Sequence, residues 1–283
     1  MATALHALLF FSLFLLGGSV FWKDRRTHGL RAAAWPLFGA FFLAEAPVFW
    51  SSGDLFNFLA TLLALPAFLF VSYQEILSYR WDEEYTPLRF LAGVTFVASL
   101  IYYGVAVFPE VSSALIKVVA DHTVLILRAL NLPYTAGPSA WSQGEIAVPL
   151  TLQGVGNTIN IVLACTALQA IAVAGSFIFA TGDPRRQKAL AAVIILPSIY
   201  AMNLVRNVLI IYTFDIQRVD FELVHGYIGK GFSLLVLIVL LLLAYKLLPD
   251  LYEMVNGLLD LPWRRKPNHN WHTSPPLFKK SAI

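Results

Sequence analysis

One cysteine, Cys165, occurs in 283 residues, which excludes an internal disulfide. Charge is scarce too: Asp, Glu, Lys and Arg make up 13% of the chain, against roughly 25% in soluble domains. No Cys/His cluster has zinc-like spacing, so neither a structural metal nor a cofactor is expected. The basic residues form short clusters between apolar runs, not a stripe or patch, and nothing resembles a nucleic-acid footprint. A Gly-x-Ser-x-Gly elbow is absent, which argues against serine intramembrane proteolysis. What fills the chain is apolar: 58% hydrophobic residues, 14% aromatics and a mean hydropathy of +0.68. That balance describes an all-α polytopic membrane protein.

Crossing about 30 Å of hydrocarbon at about 1.5 Å per residue takes about 20 residues. Seven windows fit, near 4–22, 32–50, 55–77, 88–108, 159–181, 189–213 and 228–248. The first lacks a basic n-region and is followed by Lys23-Asp-Arg-Arg26, so it reads as a retained helix and not a cleaved leader. Ser51-Ser-Gly-Asp54 is a tight polar turn, although the second and third windows also suit one re-entrant hairpin. Pro36, Pro47, Pro66 and Pro197 fall inside windows, where neighbouring helices tolerate a kink.

Alternating helices put the loop 23–31, the connector 78–89, the turn 183–188 and the region from Lys246 onward on one side. These segments hold fifteen of the twenty Lys and Arg residues. Positive charge marks the cytoplasm, so the N-terminus is expected outside and the C-terminus inside. The chain then divides into a four-span scaffold (1–108), an external segment (109–158), a three-span region with the candidate chemistry (159–248) and a basic cytoplasmic tail (249–283).

The external segment opens with helical spacing. Val111, Leu115, Val118, Val119, Leu125, Ile126 and Ala129 alternate with Ser112, Ser113, Lys117, Asp121 and Arg128. This predicts an amphipathic helix over 109–131 lying in the outer membrane interface, before the helix that carries Cys165. Ile146-Ala-Val-Pro-Leu-Thr-Leu152 is β-prone and either offers an extended edge to a peptide or is a plain connector. In the tail, Trp263-Arg-Arg-Lys266 fits anchoring at lipid headgroups, and His269 and His272 read as solvated.

Taken alone, a cysteine in an apolar helix is a small buried hydrophobe. The span boundaries place Cys165 about 9 Å inside the outer boundary, from the helical rise. Arg206 falls at similar depth on the sixth span, and His225 just ahead of the seventh. An arginine inside an apolar span is costly and usually faces a protein interior. Asn203 and Asn207 flank it, and helical steps of four relate Asn157, Cys165 and Gln169. A guanidinium favours a thiolate, an imidazole can carry its proton, and a cation in a low-dielectric site stabilises an oxyanion. Such a set suits acyl transfer through a thioester.

Ala164-Cys-Thr-Ala167, Asn203-Leu-Val-Arg206-Asn207 and His225-Gly-Tyr-Ile-Gly229, in that order on late spans, resemble the exosortase/archaeosortase family. The likeness is to the archaeosortases that process PGF-CTERM signals, and it covers most of the chain. It implies a membrane-embedded cysteine transpeptidase of the cell membrane of an archaeon, with its active site facing the exterior. Its partners would be the C-terminal sorting-signal helix of exported surface proteins, such as an S-layer glycoprotein, and a lipid acceptor of the amine-bearing phospholipid type. Cys165 would be the nucleophile, Arg206 the transition-state stabiliser and His225 the acid/base partner, with Arg218 in reserve because the third member is Arg in some archaeosortases. Asn157, Gln169, Asn203 and Asn207 would support them. The family often has Gly two residues after the cysteine; here Ala167 stands there, where a methyl group is expected only to tighten helix packing. Readings from other classes are a non-proteolytic membrane acyltransferase using the same thiol, a transporter using Arg206 as part of a polar path, and a non-catalytic scaffold.

Overall fold

A computed structural model of the chain describes residues 2–22, 24–142, 145–153, 158–221 and 223–266. Four long helices lead: α1 (Ala2–Phe21), α2 (Arg26–Ser51), α3 (Leu55–Trp81) and α4 (Thr86–Val107). The polar turn at 51–54 separates α2 from α3, with the Asp54 carboxylate capping the backbone N–H of Asn57 at 3.1 Å. These are two full helices and not a re-entrant hairpin. Pro36, Pro47 and Pro66 lie within them without ending them. Leu9, Leu13, Leu16, Trp35, Phe38 and Phe41 form their common core.

The amphipathic helix is present as α5 (Pro109–Ala129), but its surroundings differ from the expectation. Ile116, Val119, Ala120, Val124 and Leu127 are buried against Val148, Leu150, Ile159 and Ile161 of a β-sheet. Ser112, expected on the polar side, is buried and donates to the Val105 carbonyl at 2.7 Å. Val111, Val118 and Leu125 remain exposed as a second apolar row. The helix has protein beneath it where lipid was expected.

The sheet corrects the all-α reading. Its strands are β1 (Tyr134–Ala136), β2 (Ala140–Ser142), β3 (Glu145–Leu152) and β4 (Thr158–Val162), all antiparallel to their partners. Ala147 pairs with both Ala140 and Val162, and Leu150 with both Ala136 and Ile159. β3 is therefore central, with β1 and β2 along one side and β4 along the other. The β-prone piece 146–152 is the central strand; the outer strands are β4 on one side and β1 and β2 on the other.

The fifth expected span, 159–181, is consequently not one helix. Its first third is β4 and a 3₁₀ turn (Leu163–Cys165), and only α6 (Leu168–Ala180) is helical. Thirteen residues rise about 20 Å, short of a bilayer core. Among the described residues six helical stretches are long and apolar enough to cross a membrane: α1 to α4, Arg185–Ile216 and Leu223–Leu247. The last two contain α7 (Arg185–Ile211) and α8 (Lys230–Leu247), each with a π-helical stretch at the end that approaches Cys165. α6 packs between α4 and α7. Irregular backbone at membrane depth is tolerated when protein or a polar cavity surrounds it, and both are present here.

The Lys/Arg-rich segments meet at the other end of the bundle. α9 (Pro249–Leu259) places Asp250 on the Gly182 N–H at 2.8 Å and the Gly257 carbonyl under the Tyr85 hydroxyl at 2.8 Å. Arg264 donates to Glu83 at 2.8 Å and to Ser78 at 2.9 Å. Beside them, buried Glu75 joins Arg31 at 2.8 Å and His28 at 3.0 Å, pinning α2 to α3. The charge census thus grouped segments that do share one end. His269 and His272 lie outside the described residues.

Candidate active site

Cys165 ends the 3₁₀ turn that links β4 to α6, outside the spanning helices. The Thr166 hydroxyl and N–H both donate to the Leu163 carbonyl, at 2.7 and 3.1 Å, and close the turn. Two residues past the cysteine, Ala167 takes φ +64°, in the left-handed region that favours glycine. This corrects the expectation that its methyl group merely tightens a helix: the position is a bend, where a side chain costs about 1 kcal/mol or more. Ala167→Gly is expected to stabilise the protein by about 1 kcal/mol, read as a higher melting temperature in detergent. A lower one would mean that the packing of the buried methyl outweighs its strain.

Asn203 and Asn207, one helical turn apart on α7, both donate to the Cys165 backbone carbonyl, at 2.7 and 3.1 Å. That carbonyl lies in the turn ahead of α6, and the two amides satisfy it. Arg206, between them, donates from Nε to the Gly229 carbonyl at 3.3 Å and brings its guanidinium within hydrogen-bonding range of the Cys165 thiol. Gly229 closes the π-helical stretch Leu223–Gly229 that contains His225. One arginine therefore ties the cysteine turn to the histidine segment.

His225 stacks on Phe221, with ring centroids 5.3 Å apart and planes 10° apart. It lines, with Cys165 and Asn207, a cavity of about 430 Å³ whose walls include all five residues of β4. Phe214, Ile210 and Ile211 form its apolar side and Glu145 its acidic rim. Burial pushes the Cys165 thiol above its ordinary value; the Val162 backbone and Arg206 pull the other way and Glu145 adds to the rise. Burial also pushes the Glu145 carboxyl up. Arg206 itself lines, with Asn203, a second cavity of about 80 Å³ between Ala170 of α6, Ile199 of α7 and Val236 of α8, and not the one that holds Cys165 and His225.

The other expected positions fare differently. Gln169 is exposed on α6, and the helical steps that joined it to Cys165 are broken by the bend. Asn157 lies outside the described residues. Arg218 is exposed at φ +59° and acts on the phenol of Tyr134, which hydrogen-bonds Asp215; it does not line the Cys165 cavity. Glu145 and Phe221 were not singled out from the sequence; the signal for Glu145 was its place at the head of the β-prone piece.

The family model described as "Transmembrane exosortase (Exosortase_EpsH)" matches residues 3–243. The chain belongs to the transmembrane exosortase family. It is similar to Archaeosortase A of Haloferax volcanii, 30% identical over 207 residues that cover 70% of this chain and 67% of the relative. It is also similar to Archaeosortase A of Natronomonas pharaonis, 25% identical over 228 residues covering 78% of this chain and 70% of that one. No solved structure matches. Family membership and the six long apolar helices make this exosortase-family chain a multi-pass membrane protein.

Proposed function

We propose that this exosortase-family protein is a cysteine transpeptidase that removes the C-terminal sorting signal of exported surface proteins and passes them to a lipid. The observation that carries the reading is the convergence of Cys165, Arg206 and His225 on one polar end of an apolar bundle, with Asn203 and Asn207 holding the cysteine turn. The Cys165 sulfur, as its proton passes to His225, attacks the scissile carbonyl carbon. Arg206 bears the charge that develops on the carbonyl oxygen. Collapse breaks the C–N bond, His225 returns the proton to the leaving amine, and a thioester remains. An acceptor amine, on an amine-bearing phospholipid, then attacks the thioester and frees the thiol. The signal would be of the PGF-CTERM type, and the substrate an S-layer-type surface glycoprotein of an archaeon.

The end holding Cys165 faces the exterior in this reading, and the Arg264 end faces the cytoplasm, as the charge asymmetry favours. A helical signal anchored in the membrane would present its cleavage site at the layer of Cys165. The test is complementation. Supplied to archaeal cells lacking their own enzyme, the wild-type chain is expected to convert a PGF-CTERM precursor to the mature, lipid-linked form. Cells that keep only the precursor, with the chain present in the membrane, would sink the reading.

A further inference from the structure

β4 is an edge strand that runs into the nucleophile. Among the described residues it pairs only with β3, through Thr151↔Thr158, Leu150↔Ile159, Pro149↔Asn160, Val148↔Ile161 and Ala147↔Val162. Antiparallel ladders alternate between pairs that exchange hydrogen bonds and pairs that do not. Pro149 fixes which is which. It has no N–H, and its carbonyl accepts from Gly137 at 2.9 Å, on the side of β3 away from β4. The Pro149–Asn160 pair is therefore one that exchanges no bonds. Ile159 and Ile161 spend their backbone groups on β3, while Thr158, Asn160 and Val162 turn theirs to the free edge.

That edge borders a cavity. Every residue of β4 lines the cavity of about 430 Å³ that also holds Cys165 and His225. Thr158 to Val162 spans about 13 Å, and the Val162 backbone is close enough to hydrogen-bond the Cys165 sulfur. A row of evenly spaced, outward-turned donors and acceptors is the complement of an extended polypeptide backbone. An acyl chain of a lipid offers nothing to pair with it.

We propose that the peptide to be cleaved docks on the cavity edge of β4 as an added strand, pairing its backbone with Thr158, Asn160 and Val162 so that the scissile carbonyl arrives at Cys165. This rests on the transpeptidase reading for the identity of the peptide, an extended stretch next to a C-terminal sorting signal. Backbone pairing supplies the grip, and the Phe214, Phe221, Ile210 and Ile211 wall meets alternate side chains of the guest.

Two measurements test it. In the full-length Cys165→Ala protein in nanodiscs, amide-resolved hydrogen exchange is followed with and without a sorting-signal precursor. The amides of Thr158, Asn160 and Val162 are expected to slow at least tenfold on binding; Ile159 and Ile161, already paired, change little. Unchanged exchange at 158, 160 and 162, or protection uniform along the strand as a lipid filling the cavity would give, overturns the proposal. The second measurement compares Asn160→Pro with Asn160→Ala. The proline deletes an edge N–H that β3 does not use, so processing is expected to fall at least tenfold below the alanine variant, with Cys165 alkylation by iodoacetamide unchanged as the sign of an intact site. Equal processing by the two variants overturns the docking mode and leaves the transpeptidase reading standing. Exchange protection without processing by the wild type would do the reverse.

Discussion

Cys165→Ala is expected to leave the sorting-signal precursor wholly unprocessed, and Cys165→Ser to do no better. Removing a nucleophile that works as a unit with its base costs about 10⁶ in rate. The serine hydroxyl fails for a related reason. Burial already opposes the thiolate here, and a hydroxyl ionises far less readily than a thiol in the same surroundings. The comparison is clean because of how the turn is held. Asn203 and Asn207 grip the backbone carbonyl of residue 165, not its side chain, and the Thr166 bonds to Leu163 are likewise independent of the sulfur. The site should survive either substitution with its geometry and melting temperature intact. The ratio of precursor to mature protein on a gel, in cells lacking the native enzyme, reads the result. Mature protein at the wild-type level from Cys165→Ala would leave the thiol a packing residue after all.

Much of this arrangement was legible in the sequence, and what was not has one physical source. Six of the seven windows rest on apolar runs too long for anything but a spanning helix, and the structure has them. The fifth, 159–181, failed where it runs into the strand Thr158–Val162. A short apolar run flanked by another has no period that separates a strand from a helix, and a window as wide as a bilayer absorbs it into the next helix. The composition held the better clue: four of those five residues are β-branched, which favours a strand. Once β4 was read as helix, Cys165 gained a false helical face with Gln169, and the bend at Ala167 was invisible. Arg206, Asn203 and Asn207 do lie on one helix, α7, whereas His225, expected just ahead of the last window, lies within the apolar helical stretch Leu223–Leu247. Ser112 on α5 shows the same limit from the other side: a polar residue was assigned to water when it had a carbonyl to bond in the protein.

Arg206→Met is expected to slow processing by about 10² to 10³, the cost of removing one donor from a developing oxyanion. Methionine keeps the apolar stem that packs within α7 and removes only the fork. The arginine has two tasks that can be separated. Its charge favours the Cys165 thiolate, so its loss raises the thiol pKa further above the ordinary value. Alkylation by iodoacetamide follows the thiolate fraction; its rate–pH curve should move to higher pH in Arg206→Met, with slower labelling at neutral pH and convergence with the wild type in strong base. Its planar fork holds the Gly229 carbonyl at 3.3 Å while reaching the sulfur, which a point charge on a flexible stem cannot do. Arg206→Lys should therefore keep the alkylation curve near that of the wild type and still lose processing, because the His225 segment is no longer tied to the cysteine turn. Matching losses in both readouts for Lys and Met would reduce Arg206 to its charge. An Arg206→Met protein that processes within about tenfold of the wild type, on an unshifted alkylation curve, would remove it from the chemistry.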